Sequence, residues 1–355
     1  MKNAIVFTLS FSLLCLYSCS SDSSNESNET DENENPTLLT YVPDDVFEQK
    51  LIGRGFDDIM DDYVLTNNIS TITTLDLSNP SGSDFYPHIS DLTGIEDFIS
   101  LTSLNCLIND ISSVDVSNLT ELTYLNLGGN LLSSLDVTAN VNLEFLNVNR
   151  NLLTSIDLSN NSELIELDTS NNELTSLNIN NNINLQLLTS HSGTLTSLNT
   201  SNNPDLLELS LDINSITSLD LSNNTSLTTV MLNENQLSSL DLSSNTLLTN
   251  VLISFNPITT LNISNCVNIY QLNALNMRIT SLDVSNMSNL YQLICNDNML
   301  TTLNLSNNDE LYFLHSENNN LQCIQVNNNQ LYSLNNTNDL EWYKDNSVNY
   351  SLDCN

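Results

Sequence analysis

A leucine or isoleucine returns every 21 residues along most of this chain, without an insertion. The eleven units begin at Leu101, Leu122, Leu143, Leu164, Leu185, Leu206, Leu227, Leu248, Ile269, Leu290 and Leu311. A unit of this length cannot bury its apolar side chains alone, so each must stack on the next. The spacing therefore predicts a solenoid of eleven similar coils, numbered here 1 to 11, whose surface repeats from coil to coil.

Within each unit, apolar residues fall at positions 1, 4, 6, 11, 14 and 16, and Asn recurs at position 9 and around positions 18 and 19. The second half copies the first at an offset of ten. Apolar residues two apart share one face of an extended segment, so each half is expected to hold a short strand. Inward Asn side chains would bond backbone groups at the bends. Gly193 and Met277 replace Asn at position 9, and we expect those bends to be the loosest.

The unit resembles the bacterial 21-residue leucine-rich repeat often called IRREKO, L-x-x-L-x-L-x-x-N-x-L-x-x-L-D-L-x-x-N-x-x. Residues 101–331 follow this pattern, and residues 227–246 fit nearly every specified position. The resemblance implies a β-solenoid, a leucine-rich repeat rod of parallel strands with nested half-repeats. It also implies a scaffold that binds proteins or glycans, although a fold alone does not define a function.

Both ends of such a rod need caps. Residues 38–71 are expected to form the N-terminal cap, with a short helix that has Pro43 in its opening turn and Gly53 at its end. Residues 72–100 are interpreted as an irregular first coil with a strand at 75–77, and residues 332–355 as the C-terminal cap. The acids at 57, 58, 61 and 62 lack the spacing of a calcium-binding EF-hand loop, which favours a solvated turn.

The N-terminus resembles a lipoprotein signal peptide. An apolar stretch leads to Leu16-Tyr17-Ser18-Cys19, so residues 1–18 would be removed and Cys19 would carry lipid. Ordinary secretion after cleavage nearby is the alternative. Residues 19–37 are polar and acidic and predict a disordered tether. The expected location is extracytoplasmic, on a bacterial outer membrane or cell surface.

The remaining cysteines fall into two groups. Cys106 and Cys295 occupy position 6 and are expected to be buried free thiols, whereas Cys266 replaces an Asn on a bend. Cys323 and Cys354 lie at the end of the array, in an oxidising compartment if the chain is exported, and predict a disulfide. Closing that loop would contribute about 3 to 4 kcal/mol.

The charge limits the classes of partner. There are 43 acidic residues against six Lys and Arg, a net charge of -37, which disfavours nucleic acid and anionic lipid surfaces. The acidity either maintains solubility or attracts cations and basic partners. Asp recurs at position 15, so we expect repulsion between the carboxylates of neighbouring coils, which salt would screen. A weak calcium-binding ladder is the alternative. This column comprises Asp115, Asp136, Asp157, Asp220, Asp241 and Asp283, with Asn178, Asn199, Asn262 and Asn304 between them.

No catalytic or cofactor motif occurs. The sequence lacks a G-x-S-x-G elbow, a Gly-rich phosphate loop, H-E-x-x-H and paired C-x-x-C, and its three histidines are far apart. We therefore expect no catalytic residues, no metal site, no cofactor and no enzymatic activity.

The variable positions of the unit indicate a binding face. Positions 12 to 18 hardly change, whereas positions 2, 3, 5, 7 and 8 vary widely. Tyr at position 2 offers broad contact area and a hydroxyl for proteins or sugars. The alternative is that these aromatics only stabilise the late coils. The candidate ligand-binding residues are Tyr270, Tyr291 and Tyr312 at position 2, with Phe313 beside the last. Six more are expected at outward positions on the first strand: Met231, Leu252, Phe255, Leu275, Ile294 and His315.

These observations predict a lipid-anchored, non-catalytic scaffold of the cell envelope that captures a protein or glycan ligand. The alternative is a structural envelope or matrix component without a discrete ligand site.

Overall fold

The computed structural model describes residues 38–79, 87–337 and 339–354. The predicted signal peptide, Cys19 and the predicted tether lie outside the described residues, as do residues 80–86 of the irregular first coil.

The N-terminal cap combines a two-stranded antiparallel sheet with two helices: β1 (Leu39–Tyr41), α1 (Asp45–Ile52), β2 (Tyr63–Leu65) and α2 (Thr66–Ile69). Asp44 caps α1 by accepting hydrogen bonds from two backbone N–H groups, and Gly53 follows its last turn. Lys50 Nζ donates to the carbonyls of Leu77 (2.6 Å) and Ser78 (3.0 Å). The cap thus bonds backbone carbonyls of the irregular first coil.

The strands of the solenoid follow in chain order, together with helix α3 and the last strands of the chain. They are β3 (Thr74–Asp76), β4 (Ser103–Asn105), β5 (Tyr124–Asn126), β6 (Phe145–Asn147), β7 (Glu166–Asp168), β8 (Leu187–Thr189), β9 (Glu208–Ser210), β10 (Thr229–Met231), β11 (Ser239–Asp241), β12 (Asn250–Leu252), β13 (Thr260–Asn262), β14 (Gln271–Asn273), β15 (Gln292–Ile294), β16 (Leu303–Asn304), β17 (Phe313–His315), β18 (Cys323–Gln325), α3 (Asn328–Asn336), β19 (Glu341–Tyr343) and β20 (Asn349–Ser351).

Thirteen of these strands form one parallel sheet, the main sheet, which runs from β3 to β19. Each of the eleven coils contributes positions 3 to 5, and neighbours pair at an offset of 21 residues, as Leu104 does with Leu125. The side chain at position 4 points inward and is buried in every coil. Six inward apolar positions per coil, at roughly 1.5 to 3 kcal/mol per side chain, supply the main driving force for stacking. The predicted solenoid is confirmed.

The second half of the unit pairs less regularly than expected. Among the described residues, strands there occur only as the pair β11–β13 and the group β16–β18–β20, with one isolated bridge between Asp136 and Asp157. The prediction of a strand in both halves is therefore only partly right. At position 15, the Asp or Asn oxygen accepts the N–H of position 17, as in Asp241 to Ser243 at 2.9 Å. This local bond satisfies the backbone without cross-coil pairing.

All ten Asp and Asn side chains of the position-15 column thus form short local turns with the backbone. In the six Asp members, hydrogen bonds from the hydroxyl and N–H of the Ser or Thr two residues on hold the carboxyl pKa below its usual value. Asn substitutes because its carbonyl oxygen accepts the same backbone bond. Within the described residues, no group of three His, Cys, Asp or Glu side chains is placed to hold a metal ion.

The position-9 asparagines form a buried ladder, as the sequence predicts. Asn256 donates to the carbonyls of Leu232 (2.8 Å) and Ile253 (3.0 Å) and accepts from the N–H of Leu237 (3.1 Å). The residue before each ladder position has a positive φ in all eleven coils, although ten of these residues are not glycine. In the nine coils with Asn at position 9, the ladder therefore stabilises a left-handed bend after the main-sheet strand, whereas Ser192 and Asn276 adopt the same bend before Gly193 and Met277.

A second ladder at position 19 joins the coils on the return side. Asn245 donates to the carbonyls of Leu221 (3.0 Å) and Asn224 (2.8 Å). In the next coil, the Cys266 thiol takes over these bonds to Leu242 (3.2 Å) and Asn245 (3.7 Å). Cys266 is therefore a member of the ladder.

The C-terminal cap begins with α3, which replaces the end of coil 11. Gln330 of this helix donates to the carbonyls of Leu305 (3.0 Å) and Asn308 (2.9 Å) and so continues the second ladder. The predicted disulfide between Cys323 and Cys354 is present and joins β18 to the chain after β20. Cys106 and Cys295 are buried free thiols, also as predicted, and burial raises the pKa of each to about 12.

Replacement of Asn256 by Ala is expected to lower the free energy of unfolding by about 3 kcal/mol, because it leaves one buried N–H and several carbonyls without their partner. Urea denaturation followed by circular dichroism measures the change. The exposed Asn223, at position 18 of coil 6, is the control, and its replacement by Ala is expected to change stability by less than about 0.5 kcal/mol. Equal losses would show that the ladder has no special role.

The bends at Gly193 and Met277 remain predicted weak points. Neither side chain has an oxygen, so neither accepts the backbone N–H that the ladder pattern assigns to it, that of Leu174 or Ile258. Leu195 and Leu237 donate normally, to Asn214 (3.0 Å) and Asn256 (3.1 Å). Hydrogen exchange is expected to be faster at the Leu174 and Ile258 amides than at those of Leu195 and Leu237. Similar protection at all four amides would contradict this.

Acid is expected to destabilise the fold partly through the position-15 column. A folded carboxyl pKa below the unfolded value contributes stability above that unfolded value, near 3.8, and loses it as the pH falls through the folded pKa. Replacing the six Asp by Asn should therefore reduce the loss of melting temperature between pH 7 and pH 3. A control variant with six exposed acids changed to amides should behave like the unmodified chain. These acids are Glu121, Glu144, Glu163, Glu173, Glu234 and Glu310. Parallel curves for all three would reject this role.

Candidate binding surface

The structure places five of the ten candidate residues on the outer face of the main sheet. Met231, Leu252, Ile294 and His315 end their strands at position 5, and Phe313 begins β17. All five are half-buried. This face therefore presents apolar side chains in late coils, at positions whose side chains the core does not require.

Phe255 and Leu275 do not lie on the strand, which corrects their predicted placement. Each main-sheet strand ends at position 5, and the chain then enters the left-handed bend. Leu275 is at position 7, and Phe255, with φ 59° and 46% exposed, is at position 8. Both residues border the sheet at its carboxyl edge.

The three tyrosines at position 2 form a column beside the amino ends of the strands. The ring centroids of Tyr270 and Tyr291 are 5.0 Å apart with the planes 3° from parallel, and those of Tyr291 and Tyr312 are 5.4 Å apart at 12°. Their exposed fractions are 48, 36 and 36%. Because the rings stack on one another, they present mainly their edges and hydroxyl groups to solvent.

The last aromatic residues belong partly to the cap. The His315 ring stacks on Tyr343 of β19 at 4.6 Å and lies 4.9 Å from Phe313, while its Nδ1 is 3.2 Å from Glu317. The Tyr312 hydroxyl donates to Glu341 at 3.2 Å, and this bond raises the tyrosine pKa. For Phe313 and His315, these contacts support the structural role that was the alternative interpretation.

Charge is distributed unevenly along the main sheet. In coils 7 to 11, none of the residues at positions 2, 3 and 5 is acidic, Lys or Arg, although the chain has 43 acids. These residues, the uncharged surface, are Thr228, Thr229, Met231, Thr249, Asn250, Leu252, Tyr270, Gln271, Asn273, Tyr291, Gln292, Ile294, Tyr312, Phe313 and His315. In coils 3 to 6, the same positions include Glu144, Glu166, Asp168 and Glu208.

Two features were missed in the sequence analysis. Tyr124 and Phe145, at position 3 of coils 2 and 3, stack at 4.3 Å and form a second aromatic pair on the sheet. The second feature is that, among the eleven coils, acids occur at positions 2, 3 and 5 only in coils 3, 4 and 6. Both signals are visible once each position of the repeat is read along the coils.

No protein-family model matches this sequence, and comparison with curated proteins gives no match. Among solved structures, the functional domain of InlJ from Listeria monocytogenes, described as including a cysteine ladder, is 28% identical, with a TM-score of 0.77 over 88% of this chain and 72% of that one. The internalin InlF from L. monocytogenes strain 4b F2365 is 24% identical, with a TM-score of 0.74 over 89 and 94%.

A plant structure is also similar. The leucine-rich repeat ectodomain of the receptor kinase GASSHO1/SCHENGEN3 from Arabidopsis thaliana is 24% identical, with a TM-score of 0.64 over 77% of this chain and 36% of that one. Among the described residues, no helix is long and apolar enough to cross a membrane. The fold is that of a leucine-rich repeat solenoid, and its structural neighbours include bacterial internalins.

Proposed function

We propose that this protein is a non-catalytic scaffold that captures a protein ligand on the uncharged surface of coils 7 to 11. The observation that carries the proposal is the absence of charge from this surface in a chain of net charge -37. The centres of protein interfaces are depleted of charge and enriched in Tyr and Met. The uncharged surface has both properties, and its side chains are not needed to bury the core.

The Tyr column favours a protein over a glycan ligand. Sugar rings pack against an exposed aromatic face, whereas both faces of the central Tyr291 and one face each of Tyr270 and Tyr312 are covered by a neighbouring ring at 5.0 or 5.4 Å. The exposed ring edges and hydroxyl groups suit a polypeptide, which offers apolar side chains and backbone hydrogen-bonding groups together. A protein partner is also consistent with the fold, since the plant ectodomain was solved in complex with CASPARIAN STRIP INTEGRITY FACTOR 2.

We also propose that the protein is anchored outside the cytoplasm. The support comes from the sequence of residues 1–19, in which an apolar stretch precedes Leu-Tyr-Ser-Cys. Lipid on Cys19 would hold the chain at a bacterial envelope, and the polar residues 19–37 would separate the solenoid from the membrane. This arrangement suits the capture of a ligand from the surroundings.

A structural envelope component without a discrete ligand is the second candidate. The observation that favours it is the same stacking of Tyr rings, because aromatic contacts between adjacent strands stabilise a sheet whether or not a ligand binds. The two candidates differ in what the tyrosines do: one needs them for binding, and the other needs them only for stability.

Replacement of Tyr270, Tyr291 and Tyr312 by Ser tests the proposal. We expect saturable binding to a partner from an array of candidate surface proteins and glycans, and a loss of affinity of at least about 100-fold in the variant, since buried interface tyrosines often contribute more than 1 kcal/mol each. Surface plasmon resonance on the purified chain measures this, with circular dichroism to verify folding.

The matched control replaces three exposed tyrosines outside coils 7 to 11, Tyr41, Tyr63 and Tyr332, by Ser. It should bind normally. Equal binding by both variants would reject the uncharged surface as the site, and no saturable partner for the unmodified chain would favour the structural candidate. A glycan hit lost only in the first variant would place a sugar ligand on the same surface.

A further inference from the structure

We propose that the protein ligand also inserts an arginine side chain into a cavity beside the uncharged surface, between Glu166 and Glu208. This inference rests on the proposed function, because the cavity lies on the same face of the main sheet. It specifies one chemical property of the partner, a basic residue next to the segment that covers the Tyr column.

The cavity results from small side chains on two neighbouring strands. It has a volume of about 290 Å³, and strands β7 to β10 line it. Thr189 and Ser210 are short residues at position 5, whereas the next strand carries Met231 at that position. The depression therefore ends against a side chain of the uncharged surface, so one extended ligand can occupy both.

Two carboxylates flank this depression. Glu166, Leu187 and Glu208 are direct partners across three adjacent strands, so Leu187 lies between the two acids. At roughly 4.8 Å per strand, the backbones of the two Glu residues are about 10 Å apart. An apolar floor between two negative groups is complementary to a side chain with an apolar stem and a cationic end.

The two carboxylates are available to a ligand. Within the described residues, the only ion pairs are His88–Asp110 and His315–Glu317, and no hydrogen bond involves the Glu166 or Glu208 side chain. The neighbouring Asp168 differs, because it accepts from Asn149 Nδ2 at 2.8 Å and from the Ser170 N–H at 2.9 Å. The sequence has no Lys or Arg between Arg150 and Arg278, so no residue of these coils supplies the missing cation.

Arginine fits this cavity better than a metal ion or lysine. A divalent ion requires several oxygens at short range, which two carboxylates on strands so far apart do not provide. The planar guanidinium packs against apolar groups such as Leu187 and Met231, and its donors point in several directions, so that both carboxylates can be reached. A lysine ammonium is a compact, strongly hydrated charge. A second copy of this chain is disfavoured as the partner by its net charge of -37.

The test uses N-acetyl-arginine amide as the probe and the uncharged N-acetyl-citrulline amide, which has nearly the same shape, as its control. The purified full chain carries ¹³C-labelled methionine methyl groups, and the Met231 signal is assigned by its loss in Met231→Leu. We expect the arginine probe to shift this signal saturably, with a dissociation constant on the order of 1 mM, as is typical of so small a ligand. Citrulline should bind at least about tenfold more weakly, because it lacks the charge.

The variant Glu166→Gln/Glu208→Gln should also weaken the arginine probe at least about tenfold, since it removes both charged acceptors. Glu121→Gln/Glu173→Gln, an equal change in net charge at exposed acids outside the cavity, should leave binding unchanged. Equal shifts with both probes, no saturable shift, or full binding by the Glu166→Gln/Glu208→Gln variant would overturn the inference.

The Tyr variant separates this inference from the proposed function. Because the cavity and the Tyr column are on different coils, the triple Ser variant should still respond to the arginine probe. Capture of a protein through the tyrosines without any arginine binding would reject only the cavity. Arginine binding without a tyrosine-dependent protein partner would support the cavity and reject the proposed role of the uncharged surface.

Discussion

The rest of the structure depends on the hydrogen bonds that the position-9 asparagine makes inside the bend after each main-sheet strand. A short strand must end and the chain must turn inward, which leaves N–H and carbonyl groups buried without partners in either neighbouring coil. One carboxamide supplies both a donor and an acceptor. The Asn256 side chain bonds Leu232 and Leu237 of the preceding coil and Ile253 of its own coil. In nine of the eleven coils, this gain offsets the cost of a left-handed residue, including β-branched ones such as Ile108 and Ile213.

The inward side chains form the core and supply the hydrogen bonds that the buried backbone needs. The fold therefore places few constraints on which side chains occupy the outward positions of the main sheet. Position 4 is apolar in every coil and position 6 is apolar or a buried Ser or Thr, whereas positions 2, 3 and 5 accept Thr229, Gln271 or Tyr291. Variation at these positions can therefore report function, whereas the uniform second half reports architecture. The same reasoning limits the interpretation of Phe313 and His315, whose contacts with the cap give them a structural reason to be aromatic.

The repeat period predicted the solenoid, the buried positions and the Asn ladder, since each follows from spacing alone. The disulfide was also predictable, because Cys323 and Cys354 were the two cysteines at the end of the array. The sequence did not predict where a strand ends within its unit, so Phe255 and Leu275 were placed on the sheet although they lie beyond it. At position 15 it predicted repulsion relieved by salt, with a weak calcium ladder as the alternative, but not the local Asx turns that explain the Asp residues. The cavity at Glu166 and Glu208 depends on the sizes of side chains on adjacent coils, which no single repeat reveals.

The placement of charge suggests different roles for the acidic coils and for the uncharged surface in the proposed binding. A strongly acidic rod attracts basic partners over a distance of about a Debye length, which mainly raises the rate of association and weakens with salt. Contact with the Tyr column involves no charge, so it should govern the rate of dissociation and depend little on ionic strength. The acids therefore need not lie within the contact to assist binding. Their absence from positions 2, 3 and 5 of coils 7 to 11 avoids the desolvation of carboxylates where the closest packing is proposed. A ligand with one basic residue next to an uncharged segment would satisfy both parts of the face.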